Sequence, residues 1–244
     1  MSWSGTSCLR LVSEFRSHKV PFQLDNVIPW GRSLDEYAAM FALSDAELDC
    51  KILGCADGPA SFNAEMTALG RSVISVDPIY RFSAAEIRAR IDRTYETVMR
   101  QLLSNLDEFV WTRIPSPEAL GEMRLEAMGK FLADFPQGKQ EGRYWDGELP
   151  SLPFADKQFD LVLCSHFLFL YSEQLSAEFH FRAIDELLRV GREVRVFPLL
   201  TLARERSPHL DAVCEHVRHS GRNCEIQSVD YEFQRGGNQM LRMW

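Results

Sequence analysis

The sequence contains no C-x-x-C pair, no long apolar run, no excess of basic residues and no internal repeat. Each absence excludes a class of protein. Six cysteines (Cys8, Cys50, Cys55, Cys164, Cys214 and Cys224) lack paired spacing, and several sit in apolar, strand-like text, which argues against a zinc site or a disulfide framework. Reduced thiols in a cytoplasmic protein are the simplest reading, and no metal site is expected. The most apolar stretch, FDLVLCSHFLFLY (159–171), is too short to span a bilayer and contains Asp160 and His166. The opening MSWSGTSCLRLVSEFRSHKV lacks the apolar centre and small-residue cleavage site of a secretory signal. A net charge of −8 speaks against broad nucleic-acid binding, which needs a basic face to neutralise phosphates.

What is present suits one soluble domain over residues 1–244, since 45% apolar and 25% charged residues can build and solvate a single core. SLDEYAAMFALSDAEL (33–48) opens with Ser33 and Glu36 at capping-box spacing and reads as a helix, part of an N-terminal helical cap over 1–49. KILGCA (51–56) reads as a buried strand, SFNAEMTALG (61–70) as a helix, and SVISVD (72–77) as a second strand, which together form a βαβ unit. Residues 83–134 are mostly helical, with Ser83 and Glu86 repeating the capping box and Ser116-Pro117 opening another helix. They belong to a helical insertion over 80–140, between the second and third strands.

Strand text returns at 142–149, 159–165, 193–199, 224–233 and 238–244, with helices over 176–190 and 209–221. RGG (235–237) reads as a hairpin directly joining the last two strands. The expected fold is therefore α/β: a doubly wound, mostly parallel seven-stranded sheet closed by a C-terminal antiparallel hairpin. Ligands bind such sheets at the carboxyl ends of the strands.

The turn GCADGPASF follows the first strand and departs from G-x-G-x-x-G. Asp57 repels a diphosphate and attracts a cation such as an amino group, while the next helix N-terminus favours a carboxylate. The turn therefore suits a zwitterion, or it is a tight β–α turn with no ligand. Asp77 closes the second strand about 20 residues beyond Gly58, the spacing at which an acid reaches ribose hydroxyls. It can equally cap the turn before Pro78.

The segment GELPSLPFADKQFDLVLCSHFLFLY (147–171) resembles the central segment of class I S-adenosylmethionine-dependent methyltransferases, in the branch acting on small molecules. Gly147 and Glu148 match that family's Gly-acid pair, and Leu152, Pro153 and Phe154 its Leu-Pro-Phe. Glycine loop, acid, this segment and closing hairpin cover roughly residues 50–244. The resemblance implies that Gly54, Cys55, Asp57 and Gly58 line the methionine end of S-adenosyl-L-methionine. It places Asp77 on the ribose, Pro78 and Ile79 beside the adenine, and Glu148 with Leu149 at the adenine amino group. Ser165 and His166 would lie near the sulfonium and the acceptor. The family often has an acid at the end of the first strand, where this chain has Gly54; either Asp57 takes over that role or the methionine end binds differently.

The implied activity is methyl transfer to a small-molecule acceptor. CSHF lacks the Asn/Asp-Pro-Pro-aromatic signature of amino-methyltransferases, and no Pro-Cys nucleophile motif is present. His166 is the candidate catalytic base, an imidazole near neutral pKa being suited to proton removal, or else a structural histidine at a strand end. Tyr37, Met40 and Phe41 either cover the cofactor or simply pack. The arginines between Arg182 and Arg206 read as a solvated face, with docking of an anionic acceptor as the sharper alternative. The insertion either shapes the substrate site or pairs two copies as a homodimer. A non-catalytic scaffold on the same fold is the competing function, and a nicotinamide-dependent oxidoreductase a distant third.

Overall fold

The computed structural model describes residues 29–244. Residues 1–28 of the expected N-terminal cap, Cys8 among them, lie outside the described residues. Seven strands form one sheet: β1 (Ile52–Cys55), β2 (Val73–Val76), β3 (Tyr144–Trp145), β4 (Phe159–Ser165), β5 (Gly191–Phe197), β6 (Cys224–Ser228) and β7 (Gln239–Met243). Their order is β3-β2-β1-β4-β5-β7-β6, with β7 antiparallel to both neighbours and the rest parallel. This is the class I methyltransferase fold, with the mostly parallel sheet and antiparallel hairpin read from the sequence.

Among the described residues seven α-helices flank the sheet: α1 (Leu34–Met40), α2 (Asp45–Leu48), α3 (Phe62–Ala68), α4 (Ala84–Leu103), α5 (Pro117–Gln140), α6 (Ala177–Val190) and α7 (Leu210–His219). Alternate strand residues face opposite layers. Leu53, Val162, Val194 and Val196 pack with Ile184 and Leu187 of α6 and Val213 of α7. On the other face Ile52, Leu161 and Leu163 pack with Met40 of α1 and with Phe62 and Met66 of α3. A third cluster, including Tyr80, Ile91, Phe131 and Tyr144, joins α4 and α5 to the β3 edge.

Two local expectations are corrected. Residues 33–48 form two helices, because Ser44 and Glu47 build a second capping box just after Ala42 turns left-handed at φ 48°. The last two strands are not joined directly by RGG: β6 ends at Ser228, the Val229 amide still donates to the Asn238 carbonyl, and residues 230–237 form a longer connection. There the Val110 amide donates to the Phe233 carbonyl, and Phe233 stacks on Phe109 at 4.8 Å. Burying these rings against the insertion outweighs extending the ladder.

In register, Cys55 pairs with Val76 on one side and Cys164 on the other. The next residues along each segment, Ala56, Asp77 and Ser165, therefore reach the same edge of the sheet. The candidate site lies there.

Candidate active site

A cavity of about 460 Å³ opens at this edge, within the range of small-molecule sites. Its floor is the β1–α3 turn, where Ala56 and Gly58 both adopt positive φ (57° and 54°). Gly54 gives this turn its shape, since a Cβ there would come within 1.8 Å of Asp57 Oδ2. Only glycine leaves the Asp57 carboxylate room to fold back over the strand. Asp57 is 7% exposed, and accepts hydrogen bonds from the hydroxyls of Tyr37 and Ser75, each at 2.7 Å. Burial pushes its carboxyl up to about 7 against the pull of those hydroxyls, and nearby Asp77 adds to the rise.

Asp77 ties the turn to the end of β2. Its Oδ2 accepts from the Gly58 amide at 2.9 Å and its Oδ1 from the Ile79 amide at 2.8 Å. Burial raises this carboxyl to about 6 despite both bonds. Each oxygen keeps a second lone pair for a ligand donor. Tyr80, buried in the third cluster, donates to the Gly58 carbonyl at 2.7 Å and holds the turn from the other side.

His166 follows β4 with φ 51°, and its amide donates to the Phe197 carbonyl at 2.6 Å. Its Nδ1 lies 3.0 Å from Ser165 Oγ. Burial, with the charges of Arg32 and Arg124, holds the imidazole well below the ordinary histidine range rather than near neutrality. The ring is therefore neutral at physiological pH.

A second cavity of about 120 Å³ shares Trp30, Arg32 and His166 with the first. Phe109, Phe197, Tyr231 and Phe233 give it aromatic walls. Val98 and Leu102 at the end of α4 and Glu108 beyond it complete one side, so the insertion reaches the site.

Every expected site residue except Gly54 lies on the wall of the larger cavity: Cys55, Asp57, Gly58, Asp77, Pro78, Ile79, Glu148, Leu149, Ser165 and His166. Gly54 acts from behind, by making room for Asp57. Of Tyr37, Met40 and Phe41 only Tyr37 reaches the cavity, while Met40 and Phe41 are core. The arginines between 182 and 206 do not form one face. Arg195 is buried against the Phe41 carbonyl, Glu47 and Glu193, and Arg204 pairs with Glu108 at the smaller cavity. Pattern reading passes over Trp30 and Arg32. Their only sequence signal is position, just before the Ser33 cap of the helix that covers the turn.

Over 219 residues the chain is 32% identical to the uncharacterized protein MJ0045 of Methanocaldococcus jannaschii, covering 89% of this chain and 96% of that one. The chain belongs to the MJ0045 family. No family model matches it. Among solved structures this MJ0045 relative is similar to magnesium protoporphyrin IX methyltransferase (ChlM) from Synechocystis PCC 6803 with bound S-adenosylhomocysteine. That match has a TM-score of 0.47 and 12% identity over 86% of this chain and 80% of that one. It is also similar to 1,6-didemethyltoxoflavin-N1-methyltransferase from Burkholderia thailandensis, with a TM-score of 0.44 and 12% identity over 86% and 75% of the two chains.

Proposed function

We propose that this protein is an S-adenosylmethionine-dependent methyltransferase acting on a small-molecule acceptor. One observation carries the reading. The glycine turn, the acid after β2, the Gly-Glu pair and Ser165-His166, separate in sequence, wall a single cavity at the sheet edge. His166 lies on the wall of that cavity and of a second, aromatic one. The residues fit the cofactor. Asp77 keeps acceptor capacity for two hydroxyls, Pro78, Ile79 and Leu149 offer apolar surface for a purine, and Glu148 supplies an acceptor for its amino group. Asp57 offers an anionic wall to an ammonium group. When bound, the sulfonium would supply an electrophilic methyl group.

The chain's own residues align the acceptor and manage its proton. Asp57 accepts from Tyr37, and Ser165 can accept from Nδ1–H of His166. In that direction Nε2 of His166 is left unprotonated and free to accept a hydrogen bond from the acceptor. The unpaired state of Cys50, Cys55, Cys164, Cys214 and Cys224 supports a reducing, cytoplasmic setting. Among the described residues no helix is long and apolar enough to cross a membrane.

Calorimetric titration with S-adenosylhomocysteine, with NADH as control, tests the reading. Micromolar or tighter binding of the first alone is expected. Binding of NADH alone, or of neither, refutes it.

A further inference from the structure

Two guanidinium groups, Arg32 and Arg124, stand near one carboxylate, Glu36. Geometry gives it to Arg124, with Nη1 at 2.5 Å from Oε2 and Nη2 at 2.6 Å from Oε1. The remaining acceptor sites of Glu36 are also taken, by the Tyr231 hydroxyl at 3.0 Å and the Ser33 amide at 3.2 Å. A carboxylate has about four such sites, so Glu36 is saturated. Arg32 donates from Nη1 to the Trp30 carbonyl at 3.1 Å, and its buried Nε has no hydrogen-bond partner among the described residues. Its side chain lies on the walls of both cavities. The other arginine on the smaller cavity, Arg204, has its charge met by Glu108 at 3.1 Å.

Arg32 is half-buried and among the described residues forms no ion pair; a cation so placed is costly, and an incoming anion that pairs with it recovers that cost as affinity. Around it the small cavity is walled by Trp30, Phe109, Phe197, Tyr231 and Phe233. Its 120 Å³ compares with an apolar cavity of about 150 Å³ that admits benzene. Burial and the neighbouring Arg124 also lower the pKa of Arg32, as expected for a cation whose charge is not neutralised.

We propose that the smaller cavity is the acceptor subsite and takes a small aromatic acid, its ring among these side chains and its carboxylate on Arg32. The inference rests on the methyltransferase reading. The same carboxylate chemistry has a second source, the amino-acid end of the cofactor, so the experiment separates the two.

The full chain, saturated with S-adenosylhomocysteine, is titrated with benzoate and 4-hydroxybenzoate, with benzamide as the uncharged control. The carboxylates bind at least tenfold more tightly than benzamide. Arg32→Gln abolishes that preference, Arg32→Lys retains part of it, and both bind S-adenosylhomocysteine within threefold of the parent. Equal affinity for benzoate and benzamide, or no benzoate binding, overturns the proposal. So does an Arg32→Gln loss of S-adenosylhomocysteine affinity of tenfold or more with 5′-methylthioadenosine binding unchanged, because Arg32 then holds the cofactor's own carboxylate. If the parent fails to bind S-adenosylhomocysteine, the methyltransferase reading falls. Benzoate against benzamide on the unliganded protein then decides the Arg32 site alone.

Discussion

Replacing Asp57 with Asn should make the protein more stable in mild alkali and less stable only in acid below about pH 4.5. The folded carboxyl titrates at about 7 against an ordinary 3.8, so the folded chain holds a proton that the unfolded chain has lost. Stability from this residue is therefore greatest below 3.8 and declines as pH rises to about 7, then stays level. At about 1.4 kcal/mol per pH unit, that interval corresponds to no more than about 4 kcal/mol lost on full ionisation. Asparagine cannot ionise. It keeps a carbonyl for one of the two hydroxyls and turns an amide N–H toward the oxygen of the other, a rearrangement costing about 1 kcal/mol. The variant should thus be about 1 kcal/mol less stable than the parent at pH 3 and about 3 kcal/mol more stable at pH 8.5. Urea unfolding of both proteins at the two pH values measures this, and comparing their differences cancels the titration of every other group. Parallel pH dependence in the two proteins would show that Asp57 ionises as an ordinary carboxylate and that its burial costs little.

Other perturbations test neighbouring parts of the site. Gly54→Ala forces a Cβ into the Asp57 carboxylate and should cost about 1–3 kcal/mol in thermal unfolding, with much of it recovered by adding Asp57→Ala. Additive losses in the double variant would refute that coupling. Glu36→Ala leaves Arg124, 1% exposed, without its counter-ion, and chemical denaturation should register a loss of about 3–5 kcal/mol. A loss below about 1 kcal/mol would mean that the pair is not closed to water. Asp77→Ala frees the Gly58 and Ile79 amides and removes the ribose acceptor, which should weaken S-adenosylhomocysteine by about 1–3 kcal/mol in calorimetry. Unchanged affinity would remove Asp77 from the cofactor site. If Asp57 faces the cofactor ammonium, affinity should rise between pH 6 and about 7 as its carboxyl ionises, and Asp57→Asn should abolish the trend.

Much of the fold was legible because its signals are local. Capping boxes at Ser33 and Ser83 and the Ser116-Pro117 start mark helices, and each acts within one turn. Alternating strands and helices restrict the sheet to few topologies, and the acids and glycines after β1 and β2 must gather at one edge once the strands run parallel. The misread places are those where distant contacts outweighed local pattern. Phe233 left its expected strand to stack on Phe109, more than a hundred residues away. Arg195 sits in a run that reads as a solvated face, but Glu47 and the Phe41 carbonyl accept it inside.

The same division runs through the site. By its own order of residues the chain determined a methyltransferase-like sheet, a tight turn at Gly54–Gly58 and an acid placed to close it, because strand period, cap spacing and turn chemistry depend on near neighbours. The tertiary structure alone decided that Glu36 is spent on Arg124, Tyr231 and Ser33, that Arg32 has no carboxylate partner among the described residues, and that it lines both cavities. Those partners lie up to 195 residues apart, and charge balance in an interior is a property of what folding brings together.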